Sequence, residues 1–438
     1  MKKLSTGRAL RGTAVFSLAA LALTACGPDT SGESAEAETN DTDWSSVESA
    51  DSIIFATNHP GGSQDIENEL IEEFTDETGI EVEVITSGAN YEETSQWFQT
   101  GGGSNADVIV LSDATWFPSY LNDALAPVDE LLEAAEVDTS RFVTALYDDY
   151  LYEDAHYGAP YARSTPLFYY NADQYEELGL EVPTTWEEVA ENGRALVEAG
   201  LTDSGFSFPS ADSYVSWTAA NLAWAYGGAW SEDWDFSAIA SDGTVEALEF
   251  AQDGVGDWAT VSSTTPDDDF GAGVTSQAIA STGSLVGILS VADFEVGTAF
   301  LPGGPAAEGE TPTGGAGLMI ASASSPEKQL AAAMFIGHMT QPENTARFSQ
   351  ATGYVPVNQD SDMSDVYAET PQFETAVEQL SRSRSQDNAR VFLPGGDLEL
   401  SQTLQAILTG DGDVREQLEA LQTQLEELYE SELASELD

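Results

Sequence analysis

Cysteine, histidine and carboxylate side chains are the means by which a chain of 438 residues could carry nucleophilic, metal or acid–base chemistry. Here none of them falls into a working set. Cys26 is the only cysteine, which excludes an internal disulfide framework, and His59, His156 and His338 lie too far apart in the chain to suggest a metal cluster. There is no phosphate-cradling glycine loop with a lysine, no nucleophile elbow and no zinc spacing. Acids are so numerous that any two could be taken for a glycosidase pair, so such a pair carries no information. Asp267-Asp268-Asp269 lacks the spacing and terminal glutamate of a calcium loop and is read as a solvated run. No catalytic residue, metal or cofactor is expected.

The elements near the start of the folded part place two polar side chains more usefully. Ser52 to Thr57 reads as a strand, Gln64 to Thr78 carries Ile66, Leu70, Ile71 and Phe74 at helical spacing, and Gly79 stops it. Ile80 to Thr86 alternates as a strand, Tyr91 to Thr100 reads as a helix, and Ala106 to Ser112 as a buried strand. The pattern is βαβαβ. Such units form parallel sheets with right-handed crossovers and bind ligands outside the carboxyl ends of the strands. Residues 58–63, 87–91 and 113–116 should therefore converge on one crevice. Tyr91 and Asp113 are the first candidates to face it, although each could equally be a surface aromatic or a helix cap.

Cys26 has to be understood from its neighbours. Lys2, Lys3, Arg8 and Arg11 precede an apolar stretch from Ala14 to Leu23, the layout of a secretory signal, too short to span a bilayer permanently. Leu23-Thr24-Ala25-Cys26 resembles the bacterial lipobox, which implies cleavage before Cys26 and lipidation of that residue. A small buried thiol in a core helix is the alternative, disfavoured by Gly27, Pro28 and the polar tract that follows. Residues 1–25 are thus a signal peptide and 26–50 an acidic, disordered linker. The remaining length is too great for one ordinary core and calls for two lobes.

Asp and Glu number 77 against 13 Lys and Arg. Four of those cations leave with the signal, so the mature chain has nine and a net charge of −68. Repulsion excludes nucleic acid and anionic membrane surfaces as partners. Aromatic residues at 10% and hydrophobic ones at 41% separate this chain from a disordered acidic one. Acids spread along the whole length suit a surface bathed in salt, which points to a halophilic or salt-tolerant source.

From Tyr161 the text runs "YARSTPLFYYNADQYEELGLEVPTTWEEVAENGRALVEAG". With "SQAIASTGSLVGI" (276–288), "GTAFLPGGPAAEGETPTGGAGLMIA" (297–321), "QPENTARFSQATGYVPVN" (341–358) and "ARVFLPGG" (389–396), it resembles the extracellular solute-binding proteins of ABC importers. The resemblance covers nearly the whole mature chain in order. It implies an α/β, two-lobed, type II periplasmic-binding-protein-like fold with ligand in the cleft between the lobes. Lobe one is expected at 51–159 plus 283–328, and lobe two at 160–282 plus 329–438.

Within that family the motifs are most similar to the branch that binds sn-glycerol 3-phosphate or glycerophosphodiesters. Carried over by motif, Tyr91 and Asp113 would hold glycerol hydroxyls, and Ser164 and Ser281 would donate hydroxyls. The backbone N–H of Gly315 would approach a phosphate oxygen, Tyr354 would donate its phenol, and Arg390 would supply a charged fork. Tyr214 stands where relatives set a large aromatic against the ligand. The implied partners are a small molecule (glycerol phosphate, a glycerophosphodiester or a sugar), ABC permease subunits, and the outer face of the cell membrane through the lipid, with the receptor a monomer. Long-range repulsion of a dianionic phosphate favours a zwitterionic headgroup such as glycerophosphocholine or a neutral sugar, which Tyr214, Trp217 and Trp224 would suit. A neutral-oligosaccharide receptor on the same fold remains an alternative, and a secreted carbohydrate-active enzyme a remote one.

Overall fold

The computed structural model describes residues 42–59, 63–102, 105–435 and 437. The expected signal peptide, Cys26 and the acidic stretch up to residue 41 lie outside them. Packing starts before the expected linker end at 50. Trp44 opens a 3-10 turn and packs against the first core, and the Ala50 N–H donates to the Glu327 carbonyl at 2.9 Å. Within residues 42–50, Trp44 and Ala50 supply the apolar contacts with that core. Among the described residues no helix is long and apolar enough to cross a membrane.

The expected βαβαβ start forms within a residue or two of its limits: β1 (Ser52–Thr57), α1 (Gln64–Thr78), β2 (Glu81–Thr86), α2 (Tyr91–Gln99) and β3 (Val108–Ser112). The apolar face of α1, with Ile66, Leu70, Ile71 and Phe74, is buried, and Gly79 closes the helix at φ 76°, a left-handed conformation that glycine adopts without steric cost. Asn90 caps α2, its side-chain oxygen accepting the Glu93 N–H at 2.8 Å. Both β2 and β3 run parallel to β1.

The later strands are β4 (Leu125–Ala126), β5 (Ala159–Ser164), β6 (Pro166–Asn171), β7 (Phe206–Phe208), β8 (Ala259–Val261), β9 (Gln277–Ser281), β10 (Val296–Ala299) and β11 (Gly314–Ala321). The first sheet has the order β2-β1-β3-β11-β4, with β5 also paired to β11; the second has the order β8-β7-β9-β6-β10. Strand β11 enters the first sheet antiparallel to β3. The helices that matter for the site are α3 (Val215–Ala225), α4 (Pro326–Met339), α5 (Pro342–Thr352), α6 (Asn388–Val391), α7 (Gly396–Thr409) and α8 (Val414–Glu432).

The chain passes between the two sheets three times. It leaves the first at Thr165, between β5 and β6, and returns between β10 and β11. Helices α4 and α5 then cover the first sheet, and Val355, Val357 and Phe373 join the core of the second. The expected segments grouped β5 and α4 with the second lobe and β10 with the first. Strand pairing and packing set each on the other side, because motif order along the chain does not show where a strand changes sheet. Fully buried Gln379 ties the crossings together: its amide donates to the Pro166 carbonyl at 2.7 Å and its oxygen accepts the Leu301 N–H at 2.7 Å.

Candidate ligand-binding site

Between the sheets lies a cavity of about 520 Å³, within the usual size range for a small-molecule site. Tyr91, Asp113, Ser164, Tyr214, Ser281, Gly315, Tyr354 and Arg390 all border it. They come from the start of α2, the loop after β3, the ends of β5 and β9, the residue before α3, strand β11, the segment after α5, and α6. Of the three loops expected to converge, those at 87–91 and 113–116 reach the cavity. None of the described residues of 58–63 does; His59 sits behind the wall, against Tyr91. A larger groove of about 730 Å³ beneath residues 299–309 has only Glu308 and Arg382 as charged lining residues and brings no comparable polar set together.

The polar end is built around Asp113 and Arg390, buried at 4% and 8% exposure although 277 residues separate them. Arg390 Nη1 lies 3.4 Å from Asp113 Oδ2, and its Nε 3.0 Å from Asp397 Oδ1 without the alignment of a hydrogen bond. Gln386 bridges the pair, its amide donating to Asp113 and its oxygen accepting from Arg390 Nη1. Among the described residues Arg390 Nη2 has no partner. Helix α6 is too short for periodicity to announce it, and Gln386 and Asp397 are contributors that sequence reasoning missed. Their only signal is proximity in sequence to Arg390.

Gly315 has φ 89°, and a Cβ there would stand 2.1 Å from the Ala162 carbonyl oxygen. Close approach of β5 therefore requires glycine at this point, whatever its N–H does for a ligand. The Ser164 hydroxyl has no hydrogen-bond partner among the described residues and faces the cavity. That of Ser281 accepts the Gly283 N–H at 3.1 Å.

Arg163, a residue of the resembling motif to which no role was given, anchors this wall from behind. It is fully buried, donates to the Tyr150 hydroxyl at 2.6 Å and pairs with Asp149, which also accepts from Thr313 at 2.6 Å, next to Gly314 and Gly315. Burial pushes the Asp149 carboxyl up to about 6; Arg163 opposes the rise and Asp113 adds to it. An acid whose folded pKa exceeds its unfolded value stabilises fully below the unfolded value, about 4. That contribution is lost as pH rises through the folded value. Urea unfolding should therefore show the wild type losing stability between about pH 4 and 6. Asp149→Asn should flatten that dependence.

On the aromatic side Tyr214 and Trp217 meet edge to face, ring centroids 5.9 Å apart. Tyr214 holds a left-handed backbone at φ 48°, a strained setting for a tyrosine, and its hydroxyl donates to Asp267 at 2.8 Å. The acidic run at 267–269 is thus only partly solvated: it forms the first turn of a helix capped by Thr265 and anchors Tyr214. Trp217 Nε1 donates to the Thr313 carbonyl at 2.8 Å. Trp224 is not among the lining residues; it is buried beneath Arg384, whose guanidinium lies 4.5 Å from its ring centroid. Its neighbours in sequence could not reveal that, since every residue of α3 is buried.

Two α/β lobes with a polar cavity between them define the type II binding-protein fold, and residues 69–375 match the family of bacterial extracellular solute-binding proteins. The chain belongs to that family, whose members in ABC importers capture small molecules and deliver them to permeases. It is similar to UgpB from Mycobacterium tuberculosis, solved in complex with glycerophosphocholine, at 38% identity and a TM-score of 0.81, over 86% of this chain and 98% of that one. The sn-glycerol-3-phosphate-binding periplasmic protein UgpB of Salmonella typhimurium is 28% identical over 53% of this chain, and the match spans 57% of that relative's length. Its Escherichia coli counterpart is 27% identical over 68% of this chain and 73% of the relative. The acarbose-binding GacH receptor of Streptomyces glaucescens shares the fold, with a TM-score of 0.73 at 16% identity over 87% of this chain and 98% of that one.

Proposed function

We propose that this receptor captures a glycerophosphodiester with a cationic headgroup, such as glycerophosphocholine, in preference to glycerol 3-phosphate. The observation that carries the proposal is the charge of the cavity wall. Glu92, Asp113, Asp212 and Asp397 line it with Arg390 as the sole lining cation among the described residues. A dianionic phosphate would enter a surplus of carboxylates. A phosphodiester needs only one charge-assisted partner, which Arg390 supplies, while its quaternary ammonium is drawn to acids and to the Tyr214–Trp217 pair. Asp113, Tyr91 and the serine hydroxyls would take the glycerol end. The similarity to the glycerophosphocholine-bound protein supports the same choice.

The test is a thermal-shift series in high salt with glycerophosphocholine, glycerol 3-phosphate, maltose and cellobiose. A ligand at a hundred times its Kd adds about 2.7 kcal/mol to folded-state stability, so glycerophosphocholine should raise Tm clearly and glycerol 3-phosphate less. A shift with maltose or cellobiose alone would replace the proposal with the neutral-sugar receptor.

The receptor would act as a monomer, tethered to the outer face of the cell membrane through lipid on Cys26 and delivering its ligand to ABC permease subunits. Replacing Cys26 with Ser should then release the protein from the membrane fraction with unchanged ligand affinity. Retention of Cys26→Ser on the membrane would remove the tether.

A further inference from the structure

Behind the cavity wall, side chains from separate parts of the fold form one buried hydrogen-bonded line. Glu67 on α1, 3% exposed, accepts the Tyr161 hydroxyl at 3.0 Å and stands 2.9 Å from His59 Nδ1. The other ring nitrogen, Nε2, is 3.3 Å from the Tyr91 hydroxyl, and that oxygen is 3.1 Å from the Tyr354 hydroxyl. Tyr91 and Tyr354 border the cavity, whereas His59 and Glu67 do not. The line runs from a buried carboxylate through an imidazole to the ligand.

With every contact along the line kept as a hydrogen bond, its hydrogens have two arrangements. Burial pushes the Tyr91, Tyr161 and Tyr354 phenols up, so each oxygen keeps its one hydrogen. A carboxylate only accepts, so His59 Nδ1 carries a hydrogen toward Glu67. With neutral imidazole, Nε2 is bare and takes the Tyr91 hydrogen. Tyr91 then accepts from Tyr354, and Tyr354 shows the cavity only lone pairs. With imidazolium, Nε2–H donates to Tyr91, Tyr91 donates to Tyr354, and the Tyr354 hydrogen is free for the ligand. A phosphodiester oxygen can only accept, so it pairs with the second arrangement.

We infer that His59, held by Glu67, is a positioning residue that sets whether the Tyr91–Tyr354 pair offers the ligand a donor or only acceptors, so that binding a phosphodiester draws a proton onto His59. This rests on the phosphodiester assignment above. The groups facing His59 are Glu67 from α1, Tyr91 from α2, Tyr161 from β5 and Tyr354 after α5, the three phenol rings lying 6.0 to 6.2 Å from the imidazole. Arg163 on β5 adds a positive charge felt by Tyr91 and Tyr354 and is itself paired with Asp149. Because the complex favours the charged imidazole, proton uptake accompanies binding and affinity is highest at low pH. It falls as pH rises until the bound form loses the proton too.

Calorimetric titration with glycerophosphocholine, in paired buffers of different ionisation enthalpy at fixed high salt and roughly pH 6 to 9, reads the proton count directly. Wild type should take up nearly one proton per ligand at the steepest point, with affinity falling there by close to tenfold per pH unit, about 1.4 kcal/mol. His59→Gln should bind with no proton uptake and a flat pH profile. Normal binding with no uptake at any pH, or the same uptake in His59→Gln, would overturn the relay and leave the phosphodiester site standing. If His59→Gln does not fold, nitrogen NMR of wild-type imidazoles at the lower end of that pH range decides: Nε2 of His59 must carry a hydrogen in the saturated complex, and a bare Nε2 there overturns the inference. No binding of glycerophosphocholine at all would remove the phosphodiester assignment, and the relay with it.

Discussion

Arg390→Ala should weaken glycerophosphocholine binding at least about tenfold, since a hydrogen bond to a charged group contributes about 1.5–3 kcal/mol. Two features of the site push the loss toward the upper end. Arg390 is the only lining cation among the described residues, and it sits 3.4 Å from Asp113 and 3.0 Å from Asp397. Removing it deletes a donor to the phosphodiester and also leaves two carboxylates uncompensated beside the place the phosphodiester would occupy. Arg390→Lys should recover little. One ammonium cannot hold the Gln386 oxygen and both acids while a planar edge remains for the ligand. A neutral disaccharide should lose far less affinity in either variant. Calorimetric titration of wild type and both variants in fixed high salt, with unfolding curves as a control for folding, measures the difference. Equal affinities for glycerophosphocholine in all three proteins would sink the assignment of the phosphodiester to Arg390.

Arg163→Ala should lower the unfolding free energy by about 3–5 kcal/mol, the typical cost of breaking a buried ion pair by removing one partner. The side chain is completely buried, its guanidinium pairs with Asp149, and it lies 5.1 Å from the Tyr150 ring centroid while donating to the Tyr150 hydroxyl. Alanine strands the Asp149 carboxylate, opens a cavity and removes a donor to Tyr150. Asp149 also accepts from Thr313, so the loss should spread to the turn that presents Gly314 and Gly315. Replacing both partners, Arg163→Met with Asp149→Leu, leaves no unpaired buried charge and should cost less than Arg163→Ala alone. Urea unfolding of wild type and the two variants at neutral pH tests this. A double variant as unstable as the single one would mean that packing around the guanidinium, and not the stranded charge, accounts for the loss.

What the amino-acid sequence determined by itself is local and periodic. The β1–α1–β2–α2–β3 start was legible because apolar residues recur at helix and strand spacing and because Gly79 marks a helix end. The motif resemblance named eight residues, and all eight border one cavity. Tertiary structure decided everything that depends on which distant segments meet. Nothing near β3 foretells that its neighbour is β11, some two hundred residues later and antiparallel, or that Arg390 finds Asp113 through Gln386. Trp217 and Trp224 lie seven residues apart on one buried helix. Only the first meets the cavity, because the packing partners of α3, not its own periodicity, choose which side is open. Arg163, with no charged neighbour in sequence to suggest a pair, became the anchor of the wall because the fold set Asp149 and Tyr150 against it. A charge inside a protein is defined by the groups that replace its water, and those groups are supplied by the whole chain.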